Sequence, residues 1–230
     1  MPVTQTTASK NWNHIKKIWA GKGAEAARLV LLERLVLLAL CFLMYATPGF
    51  WVRHVGGLWG RKARKGFVDV YVAVKLGLAL LLLCSGEWEK AWVPYFALYL
   101  LADVFTSLSG YIFLRKFWQY PYSWGRSLML LFINFLEYTA WFACIYLSWG
   151  LLRVGDPLTG LPVTVTNWTD AFYFSVVTAA TVGFGDITPS SVGGRRLATL
   201  EILVSLFFMA TVMAYFVSNI WRDEKDKPEE

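Results

Sequence analysis

Five apolar segments, separated by short polar stretches, dominate the pattern of this 230-residue chain. Each is close to the ~20 residues that a helix needs to cross the hydrocarbon core of a bilayer. The segments cover residues 35–52, 67–84, 91–114, 128–149 and 197–221. The pattern predicts an all-α integral membrane protein that passes through the membrane several times.

The first segment allows two interpretations. Residues 35–47 form a short run that is followed by Pro48-Gly49, so this part can lie along the inner interface or re-enter the membrane instead of crossing it. Residues 50–52 extend the run to roughly 18 residues, which is long enough for a span. We favour a span. Two or three accessory helices are expected before residue 115, depending on which interpretation of this segment holds.

Basic residues in the polar stretches indicate which side is cytoplasmic. The loop 61–65 is basic, and Arg115, Lys116 and Arg126 mark a second basic loop, whereas the stretch 85–90 is slightly acidic and is expected outside. Six Lys and Arg residues also make the N-terminal region up to residue 34 basic, which favours an inside location. Three accessory spans would put the same region outside, so its side stays open.

Composition agrees with a membrane protein and excludes a monomeric soluble core. Hydrophobic residues make up 57% of the chain and charged residues only 17%. Cys41, Cys84 and Cys144 lie inside apolar runs, and their spacing indicates neither disulfides nor a metal site. We expect no enzymatic activity, no organic cofactor and no nucleic-acid partner.

Residues 181–186 read Thr-Val-Gly-Phe-Gly-Asp and carry the chemistry of the chain. A dehydrated potassium ion needs a cage of oxygens, which backbone carbonyls turned towards one axis can supply. Such a strand requires unusual dihedrals at alternate positions, and Gly183 and Gly185 adopt them without a Cβ penalty. Thr181, Val182, Gly183 and Phe184 are the predicted potassium ligands, and Gly185 completes the strand. The chain has no second copy, so four chains are needed and a homotetramer is expected.

The flanks of this motif favour a pore over an ordinary glycine turn. Asn167-Trp168-Thr169-Asp170 offers helix-capping residues, and the run 171–180 is too short to span a bilayer. This run is predicted to be a re-entrant pore helix whose C-terminal end favours a cation. A longer apolar segment precedes it and another follows the motif.

Residues 128–221 resemble the pore domain of tetrameric potassium channels, with outer helix, pore helix, filter and inner helix in the same order. Phe184 stands where tyrosine is commoner, and Ala180 where many members have a second threonine. The resemblance implies that Asp186 lies at the outer mouth and that Tyr173 of the pore helix supports the filter by bonding to it. No spanning segment carries the row of arginines that a voltage sensor needs.

Three ionisable residues fall at similar depth inside predicted spans: Lys75, Asp103 and Glu137. Because a lone charge at that depth costs about 2.5 to 3.5 kcal/mol, they are expected to meet. The cluster is interpreted either as a structural clamp or as a proton- or cation-sensitive element. Glu201 on the inner helix is a separate acid, expected to bond to a pore-helix group or to an arginine.

Together these observations divide the chain into five regions. They are a basic cytosolic or interfacial N-terminus (1–34), accessory helices (35–114), an interfacial linker (115–127), a potassium channel pore domain (128–221) and a charged tail (222–230). The predicted function is passive, selective conduction of potassium across the plasma membrane. The alternatives are a weakly selective cation channel and a nonconducting or transporter-associated subunit. Arg61, Lys62, Arg64 and Lys65 are candidate contacts for anionic lipid.

Overall fold

The computed structural model describes residues 31–113, 124–155 and 160–225. Within these ranges the chain forms seven α-helices and three short strands. The helices are α1 Leu31–Ala46, α2 Pro48–Leu58, α3 Arg61–Cys84, α4 Val93–Phe113, α5 Trp124–Ser148, α6 Trp168–Ala179 and α7 Val192–Lys225. The N-terminal region up to residue 30, most of the predicted linker with Arg115 and Lys116, and residues 226–230 lie outside the described residues.

Four helical stretches in the described ranges are long and apolar enough to cross a membrane. They are Ala63–Cys84, Val93–Gly110, Leu128–Ser148 and Val192–Met213. These stretches match four of the five predicted segments, although α7 begins five residues before the predicted start at residue 197. The prediction of a mostly helical, multi-pass membrane protein is confirmed.

The first apolar segment is not one straight helix. α1 and α2 are bent by 72° at their junction, and the pair is either a broken span or a re-entrant loop. Thr47 has extended backbone angles at the junction, and Pro48 lies in the first turn of α2. A proline suits a helix start because its missing N–H is not needed there. A new helix therefore begins at Pro48, and both interpretations of the segment 35–52 stay open.

The described part of the chain divides into two compact units, and the first contains residues 31–74, 102–113 and 124–126. In this unit the fully buried Asp103 accepts a hydrogen bond from the backbone N–H of Gly49 at 2.9 Å and one from the Tyr71 hydroxyl at 2.9 Å. A Cβ at position 49 would lie 2.6 Å from the Asp103 carboxylate, so glycine permits this approach. Asp103 thus supplies an acceptor for an unpaired N–H at the start of α2.

The first unit also joins the two loops predicted to be cytoplasmic. Arg126 forms an ion pair with Asp69 at 2.6 Å and donates to the backbone carbonyl of Lys65 at 3.1 Å. Residues 61–65, predicted from the sequence as a basic loop, form the first turns of α3. They lie next to the start of α5, as the distribution of basic residues predicts.

The second unit contains residues 75–101, 127–155 and 160–225, and α5 is the most buried of its membrane-length helices. Every side chain from Glu137 to Leu147 is buried. One face of α5 contacts α3 and α4, through an ion pair from Glu137 and an edge contact of Trp141 with Phe96. Another face contacts α6 and α7, through the hydroxyls of Tyr138 and Tyr146 and the carbonyl of Thr139.

A three-stranded antiparallel sheet, absent from the sequence prediction, lies between α5 and α7. Its strands are β1 Leu152–Gly155, β2 Pro162–Thr164 and β3 Ile187–Pro189, in the order β2-β1-β3. Val154 pairs with both Val163 and Ile187. The β-branched run Val163-Thr164-Val165-Thr166 is the signal that was missed.

Candidate functional site

The motif 181–186 follows directly on the short helix α6. Asn167 caps the start of this helix, because its side chain accepts from the N–H of Thr169 at 3.1 Å. At the other end, the N–H groups of Thr181 and Val182 donate to the carbonyls of Thr178 and Val177, each at 3.0 Å. These two bonds and the positive φ of Thr181 form a Schellman cap. Thr181, the left-handed residue of this cap, is therefore also the first residue of the motif.

The backbone of the motif alternates in conformation. Thr181, Gly183 and Gly185 have φ values of 56°, 62° and 79°, in the left-handed region. Among the described residues, Thr181 is the one non-glycine residue with positive φ. A β-branched residue adopts this region only at a cost in strain, which the cap of α6 holds in place.

Gly183 and Gly185 are required because of their backbone conformation, and not because neighbouring atoms leave no room for a side chain. A Cβ at Gly183 or Gly185 would meet no atom within 4 Å in the single chain. A side chain at either position would still suffer the left-handed backbone penalty, about 1 to 2 kcal/mol per residue.

The side chains of the motif are exposed in the single chain. Val182 and Phe184 are 53% and 68% exposed. The ring of Phe184 stacks on that of Tyr173 from α6, with ring centroids 6.4 Å apart and planes 3° from parallel. The pKa of the Tyr173 phenol is raised by desolvation and by its hydrogen bond to Asp186 and the charge of that carboxylate.

The sheet holds the chain immediately after the motif. Asp186 is followed by β3, which pairs with β1. The next residues are also fixed, because the backbone N–H of Ser190 donates to the carbonyl of Leu151 at 2.8 Å. Gly194 lies so close to that carbonyl that a Cβ would be 2.7 Å from it. The C-terminal end of the motif is thus anchored to the segment that follows α5.

A polar network joins α5, α6 and α7 behind the motif. The fully buried Glu201 of α7 accepts from the Tyr146 hydroxyl of α5 at 2.7 Å, and its other oxygen contacts Ser175 Oγ of α6. Ser205, one turn further along α7, donates to the carbonyl of Ala179 and accepts from the Tyr138 hydroxyl at 3.0 Å. The expectation that Glu201 bonds to a pore-helix group is confirmed, with Ser175 as that group.

The model of a protein family described as "Ion channel" matches residues 96–222, which is more than half of this chain. The match covers α4 from residue 96 onwards, α5, α6, the motif and α7 up to residue 222. The chain belongs to this ion channel family. A channel of this kind performs no covalent chemistry, in agreement with the expectation that the protein is not an enzyme.

Several potassium channels are similar to parts of this chain. Two-pore potassium channel 4 of Arabidopsis thaliana is 35% identical over 80 residues, which is 33% of this chain and 27% of the plant protein. The potassium channel protein kcv of Paramecium bursaria Chlorella virus 1 is 40% identical over 52 residues, 23% of this chain and 54% of the viral one. The matched segments thus cover less than two thirds of these relatives. No solved structure matches the chain.

The fold of the chain brings two of the three predicted intramembrane charges together. Lys75 of α3 and Glu137 of α5, which are 5% and 0% exposed, form an ion pair at 3.0 Å. The indole N–H of Trp141 also donates to Glu137, at 3.3 Å. Asp103 belongs to the first unit, where it bonds to Gly49 and Tyr71. The meeting of all three residues stays a prediction.

Proposed function

We propose that this protein is a potassium-selective channel that conducts potassium passively across the plasma membrane through a filter formed by four copies of the chain. Thr181, Val182, Gly183, Phe184 and Gly185 would line the filter and hold the ions. Asp186 would lie at the outer mouth, and Tyr173 would support the filter from the pore helix.

The alternating left-handed backbone at Thr181, Gly183 and Gly185 carries this proposal. When left-handed residues alternate with ordinary residues along a strand, the backbone carbonyls all turn towards one side. Carbonyl oxygens arranged in this way can replace the hydration shell of a potassium ion. One chain supplies one such strand, and its side chains are exposed until other copies cover them. The potassium channels among the relatives support the choice of ion.

The same reading gives roles to the other regions. Residues 128–221 would be the pore domain, and residues 35–114 would be the accessory helices. The linker 115–127 would join them. The N-terminal region 1–34 would lie on the cytosolic or interfacial side, and residues 222–230 would form a charged tail. The basic residues Arg61, Lys62, Arg64 and Lys65 would contact anionic lipid at the cytoplasmic surface.

Reversal potentials of the purified protein in planar bilayers test the proposal, with potassium on one side and sodium on the other. The wild type should reverse close to the potassium equilibrium potential. Gly183→Ala should abolish this selectivity, because each of four strands would carry the left-handed penalty. Gly77→Ala is the matched control, since Gly77 on α3 also has open space around it but lacks a positive φ.

Other outcomes would favour the alternatives. Robust current that reverses near zero would indicate a weakly selective cation channel. A homotetramer that folds but passes no current would indicate a nonconducting or transporter-associated subunit. Native mass spectrometry of the solubilised protein would count the copies, and any number other than four would contradict the proposed filter.

A further inference from the structure

Glu201 is fully buried inside a membrane helix, yet hydroxyl groups surround its carboxyl group. In the part of the chain that the structure describes, no ion pair or hydrogen bond joins Glu201 to a basic side chain. The arginine partner that the sequence offered as an alternative is therefore not used. An ionised carboxylate in such a place is costly, because two neutral hydrogen bonds do not replace its hydration.

The number of protons available for these hydrogen bonds decides whether the Glu201 carboxyl group is protonated or ionised. Three close oxygen contacts link Tyr146, Glu201, Ser175 and the carbonyl of Thr139. The hydroxyls of Tyr146 and Ser175 supply one proton each. If Ser175 donates to the Thr139 carbonyl at 2.8 Å, its Oγ can only accept from Glu201, and the carboxyl group must carry the third proton.

An ionised Glu201 would leave one contact without a proton. If Ser175 donated to Glu201 instead, its Oγ and the Thr139 carbonyl oxygen would face each other at 2.8 Å as two acceptors. A neutral acid satisfies all three contacts, with Tyr146 donating to one carboxyl oxygen and the other donating to Ser175. Buried carboxylic acids are held neutral in this way in apolar sites.

We propose that Glu201 carries a proton and, as a neutral acid, clamps the pore helix α6 between the outer helix α5 and the inner helix α7. The clamp acts on the helix that leads into the filter. Ser205 reinforces it by bonding to the carbonyl of Ala179, two residues before Thr181. Glu201 is thus a positioning residue for the filter, and this functional part rests on the proposed potassium channel.

Infrared difference spectroscopy on the full chain in lipid tests the protonation state without requiring conduction. The wild type should show the absorption of a protonated carboxyl group, and Glu201→Gln should remove it. The matched control is Glu137→Gln, which should leave the absorption in place, because Glu137 is equally buried but pairs with Lys75. If that variant does not fold, the double variant Lys75→Met/Glu137→Gln serves instead. An unchanged absorption in Glu201→Gln would overturn the neutral acid.

Bilayer recordings test the clamp. Glu201→Gln keeps one donor and one acceptor in the same places, so its potassium current should stay within about threefold of the wild type. Glu201→Ala removes both contacts and should lower the current by at least about tenfold. Ser175→Ala, which removes only the pore-helix contact, should also lower it, and decides the matter if the alanine at 201 prevents folding.

The results separate this inference from the proposed function. Currents that are unchanged in both Glu201→Ala and Ser175→Ala would overturn the clamp, as would a Glu201→Gln channel as inactive as Glu201→Ala. A wild type that folds but does not select potassium would instead refute the proposed function. In that case the infrared result would still decide whether Glu201 is neutral.

Discussion

Helix α5 separates two buried glutamates that are stabilised in different ways. Glu137 lies on the face of α5 towards α3 and pairs with the charged Lys75. Glu201 reaches the opposite face from α7 and contacts the hydroxyls of Tyr146 and Ser175. Both side chains are fully buried in the same unit. The same residue type is therefore tolerated in the membrane as one member of an ion pair and as a hydrogen-bonded acid.

The difference teaches that burial alone does not fix the charge of an intramembrane acid. The Lys75–Glu137 pair is held by Coulomb attraction between two charges, and it becomes unstable when either partner is lost. The Glu201 network needs only protons and correctly placed oxygens. We expect charge-removing substitutions to affect the first site strongly, and substitutions of a single hydroxyl to affect the second site mildly.

Lys75→Met should give the largest effect, because it leaves Glu137 buried without its cation. Removing one partner of a buried ion pair costs about 3 to 5 kcal/mol. The free energy of unfolding, measured by denaturant titration of the protein in detergent micelles, should fall by this amount. The double variant Lys75→Met/Glu137→Gln should recover to within about 1.5 kcal/mol of the wild type, because replacing the whole pair removes both charges.

A double variant as unstable as Lys75→Met would contradict this account. It would mean that Lys75 stabilises the fold through its other contacts and not through the charge of Glu137. The two glutamates would then no longer differ in the way described.

The sequence predicted the backbone of the motif 181–186 and the helix before it better than it predicted the partners of the two glutamates. The Gly-X-Gly-Asp motif and Asn167 carry local signals, since left-handed backbone and helix capping depend on neighbouring residues. The four long spans were predicted because their length and hydropathy are also local properties. The bend at Thr47 was foreshadowed by Pro48-Gly49, which the sequence offered as the point where the first segment turns along the interface or re-enters.

The partners of the buried acids depend on helix rotation, which the sequence does not display. Glu137 and Tyr138 are adjacent in sequence, yet they contact different helices because successive residues of a helix lie about 100° apart. The β-sheet was missed because its strands are only three or four residues long, and because β1 pairs with β3 from the other side of α6 and the motif. Only the folded chain brings Leu152 opposite Pro189.

Tyr146→Phe should give an intermediate effect and report the charge of Glu201. A hydrogen bond to a neutral group contributes about 0.5 to 1.5 kcal/mol, whereas one to a charged group contributes about 1.5 to 3 kcal/mol. A neutral Glu201 therefore predicts a loss of about 1 kcal/mol of unfolding free energy. Tyr95→Phe on α4 is the control and should cost nothing measurable, since Tyr95 is 67% exposed. A loss near 3 kcal/mol in Tyr146→Phe would indicate an ionised Glu201.

The smallest effect is expected at Asp186, which extends the comparison to a carboxylate in an exposed part of the chain. Its partner is the Tyr173 phenol, whose pKa is raised above the ordinary value of 10.0 by desolvation and by the Asp186 carboxylate. A phenol whose pKa is raised on folding adds stability while it is protonated, and that stability disappears as the pH rises through the raised pKa. Thermal unfolding measured from neutral pH to above pH 10 should therefore show an alkaline loss in the wild type that is smaller in Tyr173→Phe. If Tyr173→Phe lost as much thermal stability at alkaline pH as the wild type, the Tyr173 phenol would not be the source of this loss. Asp186 would then not be an example of a carboxylate stabilised by a hydroxyl partner.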